Sequence, residues 1–223
     1  RRIGVEADPA GKRVRCVNDG VEPSLVTAEI LPGLGRRPAV GRLQLPAAGV
    51  ETNERGQIRI NRRQQTSAAH IYAAGDCCGP HDIVHLAVAQ GEIAARNILG
   101  ETVERDDRLL MSVVFTDPAV ATVGWTETAA RAAGLDPAVA RYPFNDHGKS
   151  MILGAAHGFV KLLSDRTTGE ILGGACVGPE GGELIHEVAA AMVRRLTVRE
   201  LAAMPHYHPT LSEIWTYPAE ELQ

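Results

Sequence analysis

At 223 residues, with 23 basic and 27 acidic side chains, the chain is long enough to bury a core, and its net charge of −4 gives no reason to expect nucleic acid or an anionic membrane as a partner. No uninterrupted apolar run approaches the roughly 20 residues that a membrane-spanning helix needs, and the four cysteines are too few for a disulfide framework and lack the paired spacing of a zinc site. We therefore expect a cytoplasmic protein with reduced thiols and no metal site, acting on small molecules.

Strand composition dominates the first 32 residues, which we expect to form the edge of a sheet. Residues 33–38 contain two glycines and a proline, which cannot continue a strand, so this segment is a candidate crossing between domains. The predicted strands before it are residues 3–7, 14–17 and 28–32, with a turn at Asp19 and Gly20.

A strand, a glycine-aspartate pair and a helix follow in the next unit. Alternation predicts a half-exposed strand at residues 57–60, and apolar composition predicts a buried strand at 71–74 and a buried helix at 83–99. Asp76 comes just after the buried strand, where nucleotide-binding folds present a carboxylate to a ligand hydroxyl, so it could bind a sugar or ribitol chain. Spacing alone favours the alternative that Asp76 caps the following helix or closes a turn.

From residue 109 onward the pattern changes to α+β, with helices on one face of an antiparallel sheet. Residues 126–133 form a short helix that ends at a glycine, and Thr197 and Glu200 form a capping box that opens another. A further helix carries an apolar stripe along residues 183–196. The predicted strands are residues 112–115, 120–123, 139–144, 159–163 and 171–177, the last two joined by a tight turn at 167–169.

The segment around His208 carries the strongest catalytic signal. His208 stands in front of Pro209, and Glu213 lies five positions on, so the imidazole can be held in one orientation and one tautomer, as a general base requires. The competing interpretation is a capping box in which Glu213 folds back onto the backbone of Thr210, and spacing alone favours it. We expect that the carboxylate cannot fill both roles fully at once. His206 has no following proline and no fixed acid partner, which favours a surface or interface position.

Other reactive side chains have simpler interpretations. A disulfide between the adjacent Cys77 and Cys78 is disfavoured because so small a ring strains the intervening peptide. His147, His157 and His186 show no metal-ligand spacing, so solvated or packed side chains account for them.

Several segments, in order along the chain, carry a family resemblance. They are residues 35–38 (Gly-Arg-Arg-Pro), 66–76, 115–118 (Phe-Thr-Asp-Pro), 123–127, 158–161 (Gly-Phe-Val-Lys) and 208–213. Together they resemble the flavin-dependent pyridine nucleotide-disulfide oxidoreductases, the family of dihydrolipoamide dehydrogenase, glutathione reductase and mercuric reductase. The resemblance implies that residues 1–32 are a β remnant of the NAD(P)-binding domain, 33–108 the C-terminal part of an α/β FAD-binding domain, and 109–223 the dimerisation domain.

The resemblance also implies a cofactor-binding site. Asp76, beside Gly75, would contact the ribitol of FAD. The first turn of the following helix, with His85, Leu86 and Ala87, would face the flavin ring.

The same resemblance implies a homodimer. His208 would be the acid/base and Glu213 its orienting carboxylate, and in this family the histidine of one subunit acts at the flavin and disulfide of the other. The apolar stripe on residues 183–196, with Trp215 and Tyr217, is more apolar surface than a small domain should leave exposed, so we expect a dimer interface there.

The implied activity is electron transfer between NAD(P) and a dithiol or disulfide substrate through FAD. A histidine before Pro209 is most like dihydrolipoamide dehydrogenase, since mercuric reductases usually carry tyrosine there and a cysteine pair near the C-terminus. A mercuric reductase-like paralogue and a non-catalytic dimerisation module remain alternatives. The chain has no G-x-G-x-x-G after a strand, no cysteines separated by four residues and no initiator Met, so we expect a C-terminal fragment that by itself binds neither FAD nor NAD(P) and is inactive.

Overall fold

The computed structural model describes residues 2–16, 23–33 and 35–223, which fall into two compact units, Arg1–Ala39 and Val40–Gln223. The turn predicted at Asp19 and Gly20 lies outside the described residues, as does the last residue of the strand predicted at 14–17.

The first unit is a three-stranded antiparallel sheet of order β1-β2-β3. β1 (Arg2–Asp8) and β2 (Gly11–Cys16) match the first two predicted strands, whereas β3 is Ser24–Thr27 rather than residues 28–32. The prediction at 28–32 was wrong because Lys12, the second residue of β2, already lies opposite Thr27, which leaves only Gly11 beyond it to pair with a longer strand. The apolar run continues as an irregular segment in which Leu31 is 96% exposed.

The second unit begins with loops around a small core of Val50, Ile58 and Cys78. The strands predicted at 57–60 and 71–74 are present only as the isolated bridges Thr52–Ile58 and Gln65–Tyr72. Alternating or apolar residues form a strand only where several consecutive residues can hydrogen-bond to a neighbouring segment. Among the described residues, each of these two segments has a single bridged residue, Ile58 in one and Tyr72 in the other.

The long helix α1 (Val84–Ile98) forms where residues 83–99 predicted it. It is not a buried helix, however, because only Gln90 and Ala94 are buried along it, while Val84 is 82% and Val88 57% exposed. Among the described residues, no helix is long and apolar enough to cross a membrane.

A five-stranded antiparallel sheet forms the centre of the second unit, in the order β4-β5-β8-β7-β6. All five strands occur where the sequence predicted them, within two residues at their ends. They are β4 (Met111–Val114), β5 (Ala119–Gly124), β6 (Pro137–Pro143), β7 (Phe159–Asp165) and β8 (Ile171–Gly178).

The helices of the C-terminal part of the chain cover one face of this sheet and share a core with it. Side chains of β5, β7 and β8 pack in one cluster with the helices of the C-terminal part of the chain. The α-helices are α2 (Glu127–Ala132), α3 (Gly148–Ile152), α4 (Gly181–Val193), α5 (Val198–Ala203) and α6 (Thr216–Glu221). Short 3₁₀-helices cover Leu45–Ala48, Asp76–Cys78, Asp107–Leu109, Phe144–Asp146 and Ser212–Trp215.

The apolar stripe of α4 lies inside this core. Ile185 and Val188 are completely buried, and Trp215 is too, with its indole N–H donating to the Leu184 carbonyl at 3.0 Å. The expectation that the stripe and Trp215 remain exposed for a dimer interface was therefore wrong, because the chain's own sheet covers them.

Candidate functional site

The segment that carries His208 is anchored at both of its ends. Before it, α5 begins at the predicted capping box, in which Thr197 and Glu200 each bond to the other's backbone N–H. After it, Ile214 and Trp215 are fully buried in the core. The chain between these anchors is thereby constrained, and the His208-Pro209 peptide bond within it is cis.

His208 and Glu213 form a hydrogen-bonded pair at the protein surface. Nδ1 of His208 lies 2.9 Å from Oε2 of Glu213. The histidine side chain is 76% exposed, whereas that of Glu213 is only 12% exposed. The pair therefore places its carboxylate inside the protein and its imidazole in contact with solvent.

The Glu213 carboxylate also caps the local backbone. Its other oxygen, Oε1, accepts the Thr210 N–H at 3.2 Å, and the Glu213 N–H lies 3.4 Å from the Thr210 hydroxyl oxygen. The expectation that the capping box and the histidine pair exclude each other was therefore wrong. A carboxylate has two oxygens, and here each serves a different partner.

This geometry suits His208 to general acid/base chemistry. An ionised carboxylate only accepts hydrogen bonds, so in neutral His208 the proton lies on Nδ1, facing Glu213. The lone pair of Nε2 is then on the opposite side of a ring that is mostly exposed. Such a nitrogen can take a proton from a thiol or hydroxyl, and Glu213 would stabilise the resulting imidazolium.

His147 is a third member of this cluster, which the sequence analysis missed. It is completely buried, its Nε2 lies 3.6 Å from Oε1 of Glu213, and its Nδ1 lies 2.7 Å from the Ser150 hydroxyl oxygen. Burial lowers the pKa of His147, although the nearby Glu213 favours its charged form. No local spacing could have identified His147, because it lies far from Glu213 along the chain.

His206 also departs from its expected position. Its side chain is only 7% exposed, with Nε2 2.6 Å from Oε1 of Glu187 on α4 and Nδ1 3.0 Å from the Met204 carbonyl oxygen. Of the two positions expected for it, surface or interface, the exposed surface position was wrong, and the expectation of no fixed acid partner was wrong too, because Glu187 supplies one from a distant part of the chain. His206 ties the histidine segment to α4.

The second group of candidate residues lies around the start of α1. The Gly75 N–H donates to the side-chain oxygen of the buried Gln90 at 2.7 Å, which fixes the Gly75 loop against the helix. Gly75 has a φ of +85°, and a Cβ there would come within 3.5 Å of the Ala87 side chain. Gly75 and Ala87 are therefore neighbours. Gln90, a polar residue in an apolar helix, was overlooked in the sequence.

Asp76 and the first turn of α1 belong to two different helices. Asp76 is half-buried and opens the 3₁₀-helix Asp76–Cys78, while α1 has Ile83 as its N-cap, so the interpretation that Asp76 caps the long helix was wrong. Ile83 has no side-chain acceptor, so the first-turn N–H groups of α1 need other partners or a ligand. His85 and Leu86 line an adjoining cavity of about 430 Å³.

The thiols show little sign of reactivity at this site. All four cysteines are free, and the Sγ atoms of Cys77 and Cys78 are 3.7 Å apart. Burial, with Cys77 beside it, raises the pKa of Cys78 to about 12. Within the described ranges, no three His, Cys, Asp or Glu side chains are grouped so that they could hold a metal ion.

Comparison with known proteins gives consistent matches along the chain. A family model described as pyridine nucleotide-disulphide oxidoreductase matches residues 3–91, and the model of the dimerisation domain of that family matches residues 110–219. The dihydrolipoyl dehydrogenase of Thermus scotoductus is 39% identical over 100% of this chain and 48% of its own length, and that of Mycobacterium bovis is 41% identical over 90% and 44%.

Two solved structures have the same fold. The crystal structure of LpdA from Mycobacterium tuberculosis superposes with a TM-score of 0.86 and 32% identity, covering 100% of this chain and 48% of that chain. The HOCl-induced flavoprotein disulfide reductase RclA from Escherichia coli gives 0.81 and 25%, covering 98% and 50%. The chain thus spans about half the length of the relatives that it matches.

Proposed function

The chain belongs to the pyridine nucleotide-disulphide oxidoreductase family, and on that premise we propose that it forms part of an FAD-dependent NAD(P)H:disulfide oxidoreductase most similar to dihydrolipoyl dehydrogenase. Its contribution would be the acid/base pair, part of the flavin-binding surface and the dimer interface. The observation that carries this proposal is the 2.9 Å hydrogen bond that leaves Nε2 of His208 directed away from Glu213.

In the proposed reaction His208 moves a proton to and from substrate sulfur. Nε2 accepts the proton of a substrate thiol: the S–H bond breaks, an N–H bond forms, and sulfur keeps the electron pair as a reactive thiolate. Glu213 stabilises the imidazolium because its carboxylate faces Nδ1 at hydrogen-bonding distance. In the opposite direction the imidazolium returns the proton to the thiolate that leaves a disulfide.

The residues around α1 fit part of an FAD site. Gly75 gives a ligand close access to the backbone, and Asp76 can accept hydrogen bonds from ribitol hydroxyls. In the first turn of α1, which carries His85, Leu86 and Ala87, the Ala87 N–H already donates to the Ile83 carbonyl, whereas the apolar side chain of Ile83 offers no acceptor to the N–H groups of His85 and Leu86. When bound, FAD would supply the electron transfer between substrate sulfur and the nicotinamide. The glycine-rich phosphate loop is not encoded in this sequence.

The domain assignment is part of the proposal. Residues 1–32 would belong to the NAD(P)-binding domain, 33–108 to the FAD-binding domain and 109–223 to the dimerisation domain. A homodimer would bring His208 of one subunit to the flavin and disulfide of the other. We further assign the protein to the cytoplasm, since its free thiols fit a reducing compartment.

The test is substitution of His208 in the flavin-loaded enzyme that contains this chain. His208→Gln should slow flavin reduction by a dithiol by roughly 10² to 10⁴, with flavin content unchanged, because loss of a general base typically costs that much. Glu213→Gln should slow it less, since the base remains while its orientation degrades. His186→Gln, at an exposed histidine of α4, should have no effect.

Three results would contradict the proposal. If His208→Gln reduced the flavin as fast as the parent enzyme, His208 would not be the acid/base. If the His186 control slowed it equally, the effect would not be specific to His208. A dithiol rate that is unmeasurable in every form, with a stable dimer, would favour a non-catalytic dimerisation module.

A further inference from the structure

The buried His147 is placed to act on the same carboxylate as His208. Its Nε2 has no hydrogen-bond partner among the described residues, and Oε1 of Glu213 lies 3.6 Å away. Completely buried polar atoms without a partner are uncommon in folded proteins, and each calls for an explanation. This distance is slightly too long for a hydrogen bond, so the contact is electrostatic. A shift of a few tenths of an ångström would turn it into a hydrogen bond.

The protonation of His147 follows from its surroundings. Burial lowers the pKa of His147, which favours the neutral ring with one N–H. A lone pair on Nε2 would face the negative Glu213 oxygen and be repelled, so the N–H belongs on Nε2. Nδ1 then accepts a hydrogen bond from the hydroxyl of Ser150, which is completely buried and whose oxygen lies 2.7 Å away.

The ring of His147 is held firmly in that orientation. It lies edge-on to Phe144, with ring centroids 6.5 Å apart, and edge-on to Tyr217 at 6.1 Å. Tyr217 is itself stacked on Tyr142 at 4.0 Å, and the Tyr142 hydroxyl donates to the Asp146 carbonyl at 2.8 Å. Aromatic contacts of this kind leave little freedom for the imidazole to rotate.

We infer that His147 is a positioning residue for the His208-Glu213 pair. Its Nε2–H and the Thr210 N–H together hold Oε1 of Glu213, which leaves Oε2 to fix the tautomer of His208. The inference rests on the proposed function, since it assumes that the orientation of His208 matters for proton transfer. His147 touches neither substrate nor cofactor in this scheme, and acts only through Glu213.

The tautomer of His208 can be measured directly in the 223-residue chain. With ¹⁵N-labelled histidine, long-range proton-nitrogen NMR at a pH where His208 is neutral reports which ring nitrogen carries the proton. The parent chain should show the Nδ1–H form of His208, and Glu213→Gln should give a mixture. His147→Leu, which keeps an apolar group in the buried site, should shift His208 toward the same mixture.

Two further variants guard against a failure to fold. Ser150→Ala leaves the His147 ring in place but removes the hydroxyl that orients it, and should cause a smaller shift in the same direction. His147→Gln retains an N–H donor at similar reach and should restore the Nδ1–H form. His157→Leu changes a histidine outside the cluster and should leave the tautomer of His208 unchanged.

The outcomes separate this inference from the proposed function. An unchanged His208 tautomer in Glu213→Gln would show that Glu213 does not orient the base, which would remove support from both. A shift in the His208 tautomer in Glu213→Gln, with none in Ser150→Ala or in a folded His147→Leu, would overturn the role of His147 alone.

In the flavin-loaded enzyme, His147→Leu should lower kcat for dithiol oxidation by roughly 10- to 100-fold with KM unchanged. Adding Glu213→Gln should cause little further loss, because the two residues act in series.

Discussion

The two carboxylate oxygens of Glu213 accept hydrogen bonds from different groups, one from the backbone and one from an exposed side chain. Oε1 accepts a backbone N–H from Thr210 and faces the buried His147, while Oε2 bonds the exposed ring of His208. Because the carboxylate is largely buried, these donors rather than water satisfy it, and its orientation is set by the fold. The proposed base therefore takes its orientation from groups in the interior.

Cysteine reactivity is a prediction at this scale. Burial raises the pKa of Cys176 to about 12 and that of Cys78 to about 12 as well, so near pH 8 both should remain unreactive thiols. Cys16 and Cys77 are half-buried and should be alkylated first by iodoacetamide, as peptide mass spectrometry can show. After unfolding in urea, all four cysteines should be alkylated at similar rates. Labelling of native Cys176 as fast as Cys16 would show that the core opens readily.

A pair of glycine substitutions separates backbone strain from steric overlap. Gly154 and Gly158 both have positive φ, but a Cβ at Gly154 would meet no atom within 4 Å, whereas at Gly158 it would overlap the Val177 carbonyl oxygen. We expect Gly154→Ala to lower the free energy of unfolding by about 1–2 kcal/mol. Gly158→Ala should lower it by roughly 3 kcal/mol or more, because overlap adds to strain. Urea denaturation measures both, and equal losses would mean that β7 and β8 separate easily there.

At the scale of elements, α4 and the five-stranded sheet bury each other's apolar faces, and the short helices that follow attach the histidine segment to this core. α5 is only six residues long, too short to be stable by propensity alone. Its capping box and the buried Leu201 therefore hold it in place. Through α5, the start of the histidine segment is fixed.

The capping box should make stability depend on pH. The backbone N–H and hydroxyl of Thr197 hold the pKa of Glu200 below its usual 4.5. Since the folded pKa is the lower one, the ionised carboxylate stabilises the fold above about pH 4.5, and this contribution is lost as pH falls through the folded pKa. Glu200→Gln should thus be less stable than the parent at pH 7, with the difference shrinking toward pH 3 in urea titrations.

The control for this prediction is Glu221→Gln, which removes one negative charge at the exposed end of α6. Its change in stability with pH measures the effect of removing one negative charge without removing the bonds to Thr197. A stability difference between Glu200→Gln and the parent that stayed constant from pH 7 to pH 3 would argue against the Thr197 bonds as its origin.

For the whole molecule, all the candidate site residues lie in the second unit, Val40–Gln223. The first unit has a three-stranded sheet, which is near the lower limit for independent stability. The catalytic pair is formed within one chain, but the proposed active site would need two, since His208 would act at the flavin and disulfide of a second subunit. Assembly is therefore part of the function proposed here.

We expect a two-fold homodimer that buries on the order of 2,000 Å². Phe115, within the region that matches the dimerisation domain, is 92% exposed, and Phe115→Asp should weaken the dimer because a buried unpaired charge is costly. Leu31→Asp is the matched control, since Leu31 is 96% exposed but lies in the first unit. Light scattering across a concentration series measures both. A parent chain that is monomeric at tens of micromolar would contradict the prediction.

The sequence by itself determined the elements whose signals are local. The strands of the central sheet, α1 and the capping box at Thr197 follow from side-chain periodicity and end signals a few residues apart. At Glu213 local spacing alone favoured the capping box, and the hydrogen bond to His208 was expected only from the family resemblance.

Only the tertiary structure decided the contacts between distant parts of the chain. Apolar patterns cannot say which surface will cover them, so α4 was expected to face a partner but packs on its own sheet. Local spacing likewise cannot reveal that Glu187 reaches His206, or that His147 lies beside Glu213. Such neighbours are selected by how helices and strands pack around the core, a condition that involves the whole chain at once.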